Sequence, residues 1–367
     1  MTINVNEYEL FADKNDFISQ CLYRLFKKNI LVITVCYWII SFGGIMLLGF
    51  ITGQLGNTQY SPVMKRDYSN LINMGLVAPV GIFILLMLYK KLNRLFIVLK
   101  QRHILKESDE TLLELKNKIQ RIYQCKAVTV FSLAVSVSIN IYIAFNKSNE
   151  WNGAFGGITA WYFRFFVIIN FYYIWLILYK CVVTVVLMRK IFSMKFRLDP
   201  IHPDNCGGLR PIGELALSLN YFAGLILLYM LVLVFLDPYS KANSMFYFGF
   251  FIVVIINFII LFLGLSKAHD KMKMEKEIFL NYLHKSFQKN YVTFHDKLQE
   301  NVFDIELSSK IASIEKMFQM SKNMPVWPFN LNIMSRLIST TVIPIFILLY
   351  QEFLSSVVNK IVLFFNM

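Results

Sequence analysis

The sequence predicts an all-α, polytopic membrane protein with about six transmembrane helices, a cytosolic helical bundle and a C-terminal apolar segment that is re-entrant or interfacial. Of its 367 residues, 56% are apolar and only 16% charged, a balance that does not suit a fold with a water-exposed surface. The charges are also segregated: long stretches hold almost none, and the segments between them hold nearly all. A run such as 251–265 is apolar on every side, whereas a barrel strand alternates apolar and polar residues, so the spans are helical.

Crossing about 30 Å of hydrocarbon at 1.5 Å per residue takes roughly 20 residues. Low-charge windows of that order lie at 30–51, 71–89, 128–145, 161–187, 217–236 and 245–265. They divide the chain into a cytosolic N-terminal segment (1–29), helices one and two (30–89), a cytosolic helical loop (90–127), helices three and four (128–187), a loop (188–216), helices five and six (217–265), a cytosolic helical domain (266–336) and the C-terminal apolar segment (337–367). The first segment is amphipathic and lacks the short basic start and brief apolar core of a cleaved signal peptide. It is expected to be retained.

Orientation follows from the basic residues. One side collects Lys14, Arg24, Lys27 and Lys28 together with 90–126, 189–210 and 267–336, while the other has only Lys65, Arg66, Lys147 and Lys241. The positive-inside rule places the first set, and the N-terminus, in the cytoplasm. The expected site is therefore the cell inner membrane, and part of the +14 net charge is this topogenic signal. The cysteines, Cys21, Cys36, Cys125, Cys181 and Cys206, avoid the predicted outer loops and show no CxxC spacing, so neither disulfides nor cysteine-ligated metals are expected.

Within 90–127, Leu112, Leu115, Ile119 and Ile122 share a helical face behind the cap-forming Ser108, Asp109 and Glu110. In 266–336, Phe279, Leu283, Phe287, Tyr291, Phe294 and Leu298 recur at steps of three and four. No Gly or Pro lies between Leu265 and Asn301, so the sixth span is expected to run on into the cytosol as one helix of about 80 Å. A second amphipathic stretch with Ile305, Ile311, Ile314 and Phe318 is placed to fold back on it. After it, the apolar run at 337–350 is short, contains Pro344 and is followed by Gln351 and Glu352, which favours a re-entrant or interfacial segment over a seventh crossing.

The most distinctive local sequence is His202-Pro203-Asp204-Asn205-Cys206-Gly207-Gly208-Leu209-Arg210-Pro211. Turn chemistry alone would choose these residue types. Two functional readings stand beside it. In one, Arg210 and the backbone of Gly207 and Gly208 contact an anion or a gate. In the other, His202 and Asp204 hold a metal with a third ligand from His269, Asp270 or His284. Pro325-Val326-Trp327-Pro328-Phe329 reads as a headgroup-level anchor. Arg164 and Lys180 lie toward opposite ends of the fourth span, where long side chains can reach water. Asn140, Asn170 and Asn257 lie nearer mid-membrane, as helix bridges or as lining of a wet path. No span carries a mid-membrane carboxylate or histidine, which counts against proton-coupled transport and intramembrane proteolysis. Any selectivity would come from oligomeric geometry or loop charges such as Asp67, Glu150 and Asp237. No Walker, HExxH, GxSxG or kinase motif occurs, and no enzymatic activity or cofactor is expected.

Three pieces in order, the His202–Leu209 turn, the basic Ala268-His269-Asp270-Lys271-Met272-Lys273 and the Val326–Phe329 motif, resemble a group of prokaryotic multi-pass membrane proteins. The general layout resembles effectors of antiphage operons, including the Hailong type. That resemblance implies an ion channel controlled by the product of an operon-encoded nucleotidyltransferase. It covers about the C-terminal half, and only the first motif has any specificity. The residues are compatible with it. Lys271, Lys273, Lys276, Lys285 and Lys289 crowd one helix between Phe279, Tyr282, Phe287 and Tyr291, and such groups neutralise phosphates and stack bases, although they also suit a helical bundle with a lysine-rich exterior. The expectation is a homo-oligomeric, ligand-gated channel in the lipid bilayer with a nucleotide or short oligonucleotide as regulator. The rivals are a membrane-bound enzyme with a His/Asp metal site and a non-catalytic assembly partner.

Overall fold

The computed structural model describes residues 29–57, 59, 63–101, 109–146, 150–153, 157–194, 202, 204, 206–236, 244–329 and 331–365. Among these there is no strand, and seven helices are long and apolar enough to cross a membrane. The chain is therefore a multi-pass, all-α membrane protein. Apolar side chains line its outside, among them Phe50, Phe145, Trp161 and Phe262, as expected where the solvent is hydrocarbon and no backbone group can find water.

The helices are α1 (Ile30–Ile51), α2 (Tyr68–Leu99), α3 (Asp109–Tyr123), α4 (Lys126–Asn146), α5 (Gly157–Ser193), α6 (Arg210–Leu236), α7 (Ser244–Gln299), α8 (Ile305–Lys322) and α9 (Leu331–Phe365). Asn29 starts α1 by accepting the Leu31 and Val32 N–H groups on its side-chain oxygen. α1 and α2 each contain a π-turn, Ile39–Gly43 and Asn73–Val77, and the two turns touch. Within the first of them, the Tyr162 hydroxyl donates to Ile40 C=O at 2.6 Å.

Two sequence expectations hold closely. α7 is one uninterrupted helix of 56 residues, about 84 Å long, and α8 folds back along its projecting half, with Leu283 and Ile314 buried between them. Lys297 bonds Asp304 at 2.6 Å, and Asp304 caps α8 through Leu307 N–H. In α3, Leu115 and Ile119 are buried as the periodicity requires, whereas Ile122 stays partly exposed.

Two expectations are corrected. The segment after 337 is not a short separate element. It belongs to the continuous helix α9, which makes seven candidate crossings instead of about six. α9 runs along α6 in the same direction, from Ile333 and Leu337 against Leu217 to Leu348 against Leu231 and Val234. Pro344 sits inside it because packing against two neighbours offsets one missing backbone bond. Second, Arg164 and Lys180 do not snorkel: they are 3% and 0% exposed. α5 contacts α1, α2, α3, α4 and α7, and the bundle closes over both. Arg164 donates to Asn152 C=O at 2.6 Å and Asn140 C=O at 3.3 Å. Lys180 donates to the Tyr89 hydroxyl and lies 4.6 Å from its ring centre.

Candidate functional site

The three motifs singled out in the sequence meet at one place, the end of the bundle from which the α7–α8 hairpin projects. α6 begins directly after the glycine pair, so its first turn carries the His202 turn on one side. On the other, the Gly213 Cα comes so close to the last motif that a Cβ there would sit 2.1 Å from the Pro328 carbonyl oxygen. α7 passes the same point. His269 stacks on Trp327 with ring centres 4.5 Å apart, and its Nδ1 is 3.0 Å from Val326 C=O. A carbonyl only accepts, so Nδ1 carries the proton, leaving Nε2 as the acceptor of the neutral ring. Trp327 stacks in turn on Phe329 and meets Phe262 edge-on. Lys276, one of the expected ligand contacts, donates to Lys322 C=O at 2.8 Å and Met324 C=O at 2.7 Å. It thereby satisfies carbonyls at the end of α8. The joint thus ties α6, α7, α8 and the approach to α9 together within a few residues.

The His202 turn satisfies itself. Gly207 and Gly208 have φ of 63° and 90°, a left-handed pair that glycine adopts without Cβ strain. The arrangement turns the Cys206 and Gly208 N–H groups onto Asp204 Oδ1, at 2.9 and 3.0 Å. His202 Nδ1 lies 2.9 Å from the same oxygen. An anion seat of backbone N–H groups is present, and the chain's own carboxylate occupies it. Arg210 is paired with Glu214 at 3.0 Å one turn along α6. Burial pushes the Asp204 carboxyl upward, but the two backbone bonds and adjacent His202 outweigh it and hold the group below the usual carboxylate range. Burial and neighbouring Asp204 push the Cys206 thiol up to about 12, so it is unreactive. Among the described residues, no three His, Cys, Asp or Glu side chains come together as a metal site.

Because the folded pKa of Asp204 lies below its unfolded value of about 3.9, its contribution is complete above that pH and is lost as pH falls through the folded pKa. Asp204→Ala is expected to lower stability by about 2 kcal/mol at neutral pH, as for a charge-assisted bond. The difference from wild type should shrink below about pH 4. Thermal unfolding in detergent at several pH values measures it, and a deficit that stays constant down to acid pH would contradict the assignment.

The three asparagines do not line one path within the chain. Asn140 donates to Arg164 C=O at 3.3 Å between α4 and α5. Asn170 accepts from the Tyr37 hydroxyl at 2.5 Å and contacts Met74 sulfur at 3.1 Å. Asn257 donates to Asn220 Oδ1 at 2.7 Å and Thr341 Oγ1 at 3.1 Å, and Thr341 donates to the same Asn220 oxygen at 3.0 Å. Asn220 also donates to Thr340. This buried network pins α6, α7 and α9 together, and sequence reading saw only Asn257 of its four members. Of the loop charges, Asp67 is buried under Trp151, whose indole N–H bonds it at 2.8 Å, and Asp237 lies outside the described residues.

On the projecting half of α7, Lys273, Lys285 and Lys289 are exposed and Lys271 is half-buried. Tyr282 and Tyr291 face outward, while Phe279 and Phe287 are half-buried. Phe287, Tyr291 and His295 form a stacked ladder with interplanar angles of 13° and 5°. Fold and joint together define a multi-pass helical membrane protein with a projecting helical hairpin. Comparison of the chain with known protein families, with curated proteins and with solved structures finds no match.

Proposed function

We propose that the protein is an oligomeric ion channel or pore, N-terminus inward in the cell inner membrane, whose cytosolic α7–α8 hairpin controls it. The observation that carries this reading is the continuity of α7. One unbroken helix bears the exposed lysines and aromatic ladder at one end and Asn257 of the intramembrane network at the other. A ligand that displaces the hairpin therefore acts on the α6–α7–α9 contact without an intervening joint that could absorb the motion. The asparagines are spent on contacts inside the chain, so the path lies between copies. Exposed Lys273, Lys285 and Lys289, with Tyr282, Tyr291 and the ladder, favour an anionic, base-bearing ligand. The resemblance to Hailong-type effectors makes nucleotides and short oligonucleotides, the products of a nucleotidyltransferase partner, the first to try. His202, Asp204, Gly207, Gly208 and Arg210 position the start of α6 in this account and do not contact the ligand. The metal-enzyme alternative has less support, since His202 and Asp204 face each other and His269 is held by Val326.

The test is ion flux through liposomes containing the full chain, with and without nucleotides and short oligonucleotides. Flux that one of them switches is expected. Replacing Lys271 and Lys273 together by Glu is expected to change ligand-dependent flux by about fivefold or more, the lower range of allosteric coupling, with membrane insertion intact. An unchanged response in that double variant removes both lysines from the mechanism, and silence under every ligand with an intact oligomer removes the channel reading.

A further inference from the structure

Between α7 and α9, just on the bundle side of the joint, lies an apolar cavity of about 190 Å³ lined by Phe258, Phe262, Leu265, Trp327, Leu337 and Thr341, with Met334 and Ile338 at its edge. Three features say what fills it. Apart from Trp327 and Phe329, its walls belong to two of the helices apolar enough to cross a membrane, and Phe262, Met334 and Ile338 are 57%, 44% and 52% exposed, so it opens sideways onto the lipid. Its lining offers almost no polar partner beyond the hydroxyl of Thr341, which is already bonded to Asn220 and Asn257. A water needs two to four such partners, and apolar cavities of about 150 Å³ stay dry and take up hydrocarbons. Finally, Phe262, Ser266, His269 and Lys273 follow one another at steps of four, three and four and so share a face of α7. Along this face the apolar wall therefore passes into a half-exposed imidazole and an exposed lysine, whose long side chain can reach toward headgroups.

We propose that this crevice binds one acyl chain of an anionic phospholipid from the leaflet on the hairpin side, with the headgroup phosphate at Lys273. The chain end lies against Thr341 and hence against the Asn220–Asn257 network. The glycerol end lies against Trp327 and hence against the joint with Gly213. One lipid molecule thus touches both ends of the α7 segment that links hairpin and bundle, and its presence wedges α7 at a fixed distance from α9. The proposal depends on neither the channel reading nor the direction of insertion, and conductance plays no part in its test.

The experiment places the full chain in phosphatidylcholine nanodiscs containing a minor fraction of phosphatidylglycerol with a photoreactive diazirine in mid-chain, or the matching phosphatidylcholine probe, and maps the crosslinks by peptide mass spectrometry. Labelling is expected to concentrate on 258–265 and 334–342, and the anionic probe is expected to label roughly fivefold more than the zwitterionic one, the gain typical of one lysine near an anionic headgroup. Ile338→Trp fills the opening and should reduce labelling there several-fold for both probes while labelling of α1 and α4 stays constant. If that variant does not yield monodisperse protein, Met334→Phe at the same opening supplies the same readout. Lys273→Gln should remove the preference for the anionic probe and leave labelling by phosphatidylcholine in place. Labelling spread evenly over the lipid-facing helices, equal labelling by the two probes, or insensitivity to both opening-filling variants would overturn the proposal.

Discussion

Gly213→Ala is expected to be the most damaging single-methyl change in the protein, lowering stability by about 3 kcal/mol, the upper range for overpacking. The added Cβ would lie 2.1 Å from the Pro328 carbonyl oxygen and 3.3 Å from the Phe329 ring. The obstacle is backbone, so no rotamer change relieves it, and either α6 or the 325–329 segment must move by more than 1 Å to reach ordinary contact, about 3.5 Å. Moving that segment pulls Trp327 away from His269 and the end of α8 away from Lys276. Stability and the transmission of hairpin motion should therefore fail together. Gly81→Ala is the control. Its Cβ would meet only Leu225 at 3.9 Å, and alanine is the better helix former by about 1 kcal/mol, so that variant should match or exceed wild type. Thermal unfolding in detergent and hydrogen exchange over 324–329 distinguish the two. Equal stability of both variants would mean that the α6 contact is not tight.

The second large effect is expected from Asn220→Ala. Its side-chain oxygen accepts from Asn257 and Thr341, and its amide donates to Thr340, so the change removes three bonds to partners on two other helices. Interhelical bonds in membranes average about 0.6 kcal/mol and reach about 1.7, which puts the loss of three near 2 kcal/mol. Asn257→Ala removes two bonds, to Asn220 and to Thr341, and Thr341 keeps its bond to Asn220, so its expected cost is near 1 kcal/mol. Unfolding in detergent measures both, and the order Asn220 above Asn257 is the outcome that identifies Asn220 as the hub. A reversed order would place the hub on α7.

How far the sequence revealed this arrangement depended on whether a feature was local. The first six crossings were legible because each is a long apolar run. The long α7 was legible because no Gly or Pro interrupts 266–300. The seventh candidate crossing was not, since Pro344 and Gln351 look like a stop when α9 is read alone and its packing against α6 is tertiary. The burial of Arg164 and Lys180 was illegible for a related reason. α5 is apolar nearly all round, so its periodicity does not say which face lies under neighbouring helices. Within the candidate site, the tandem glycines and Asp204 were recognisable as turn chemistry, and the two positive φ values bear out that reading of the pair. Their convergence with His269 and Trp327 was not legible, because it depends on how α6 and α7 pack. Gly213 gave a faint signal, as a glycine in the first turn of a helix where the backbone has no need of one.

The central claim is that α7 carries the state of the hairpin into the bundle as one rigid element. Liposome ion flux tests it most directly when a Lys285→Glu, Lys289→Glu charge reversal, on the hairpin side, is measured in the wild-type chain and in a chain carrying Met274→Gly and Glu277→Gly between those lysines and the bundle. Both of those side chains are exposed, so the hinge removes little packing while each glycine weakens the helix by about 1 kcal/mol. The account predicts that charge reversal changes flux by about fivefold or more in the straight helix and has little effect once the hinge is present. The same change in both backgrounds would show that the hairpin acts by another route and would contradict the account.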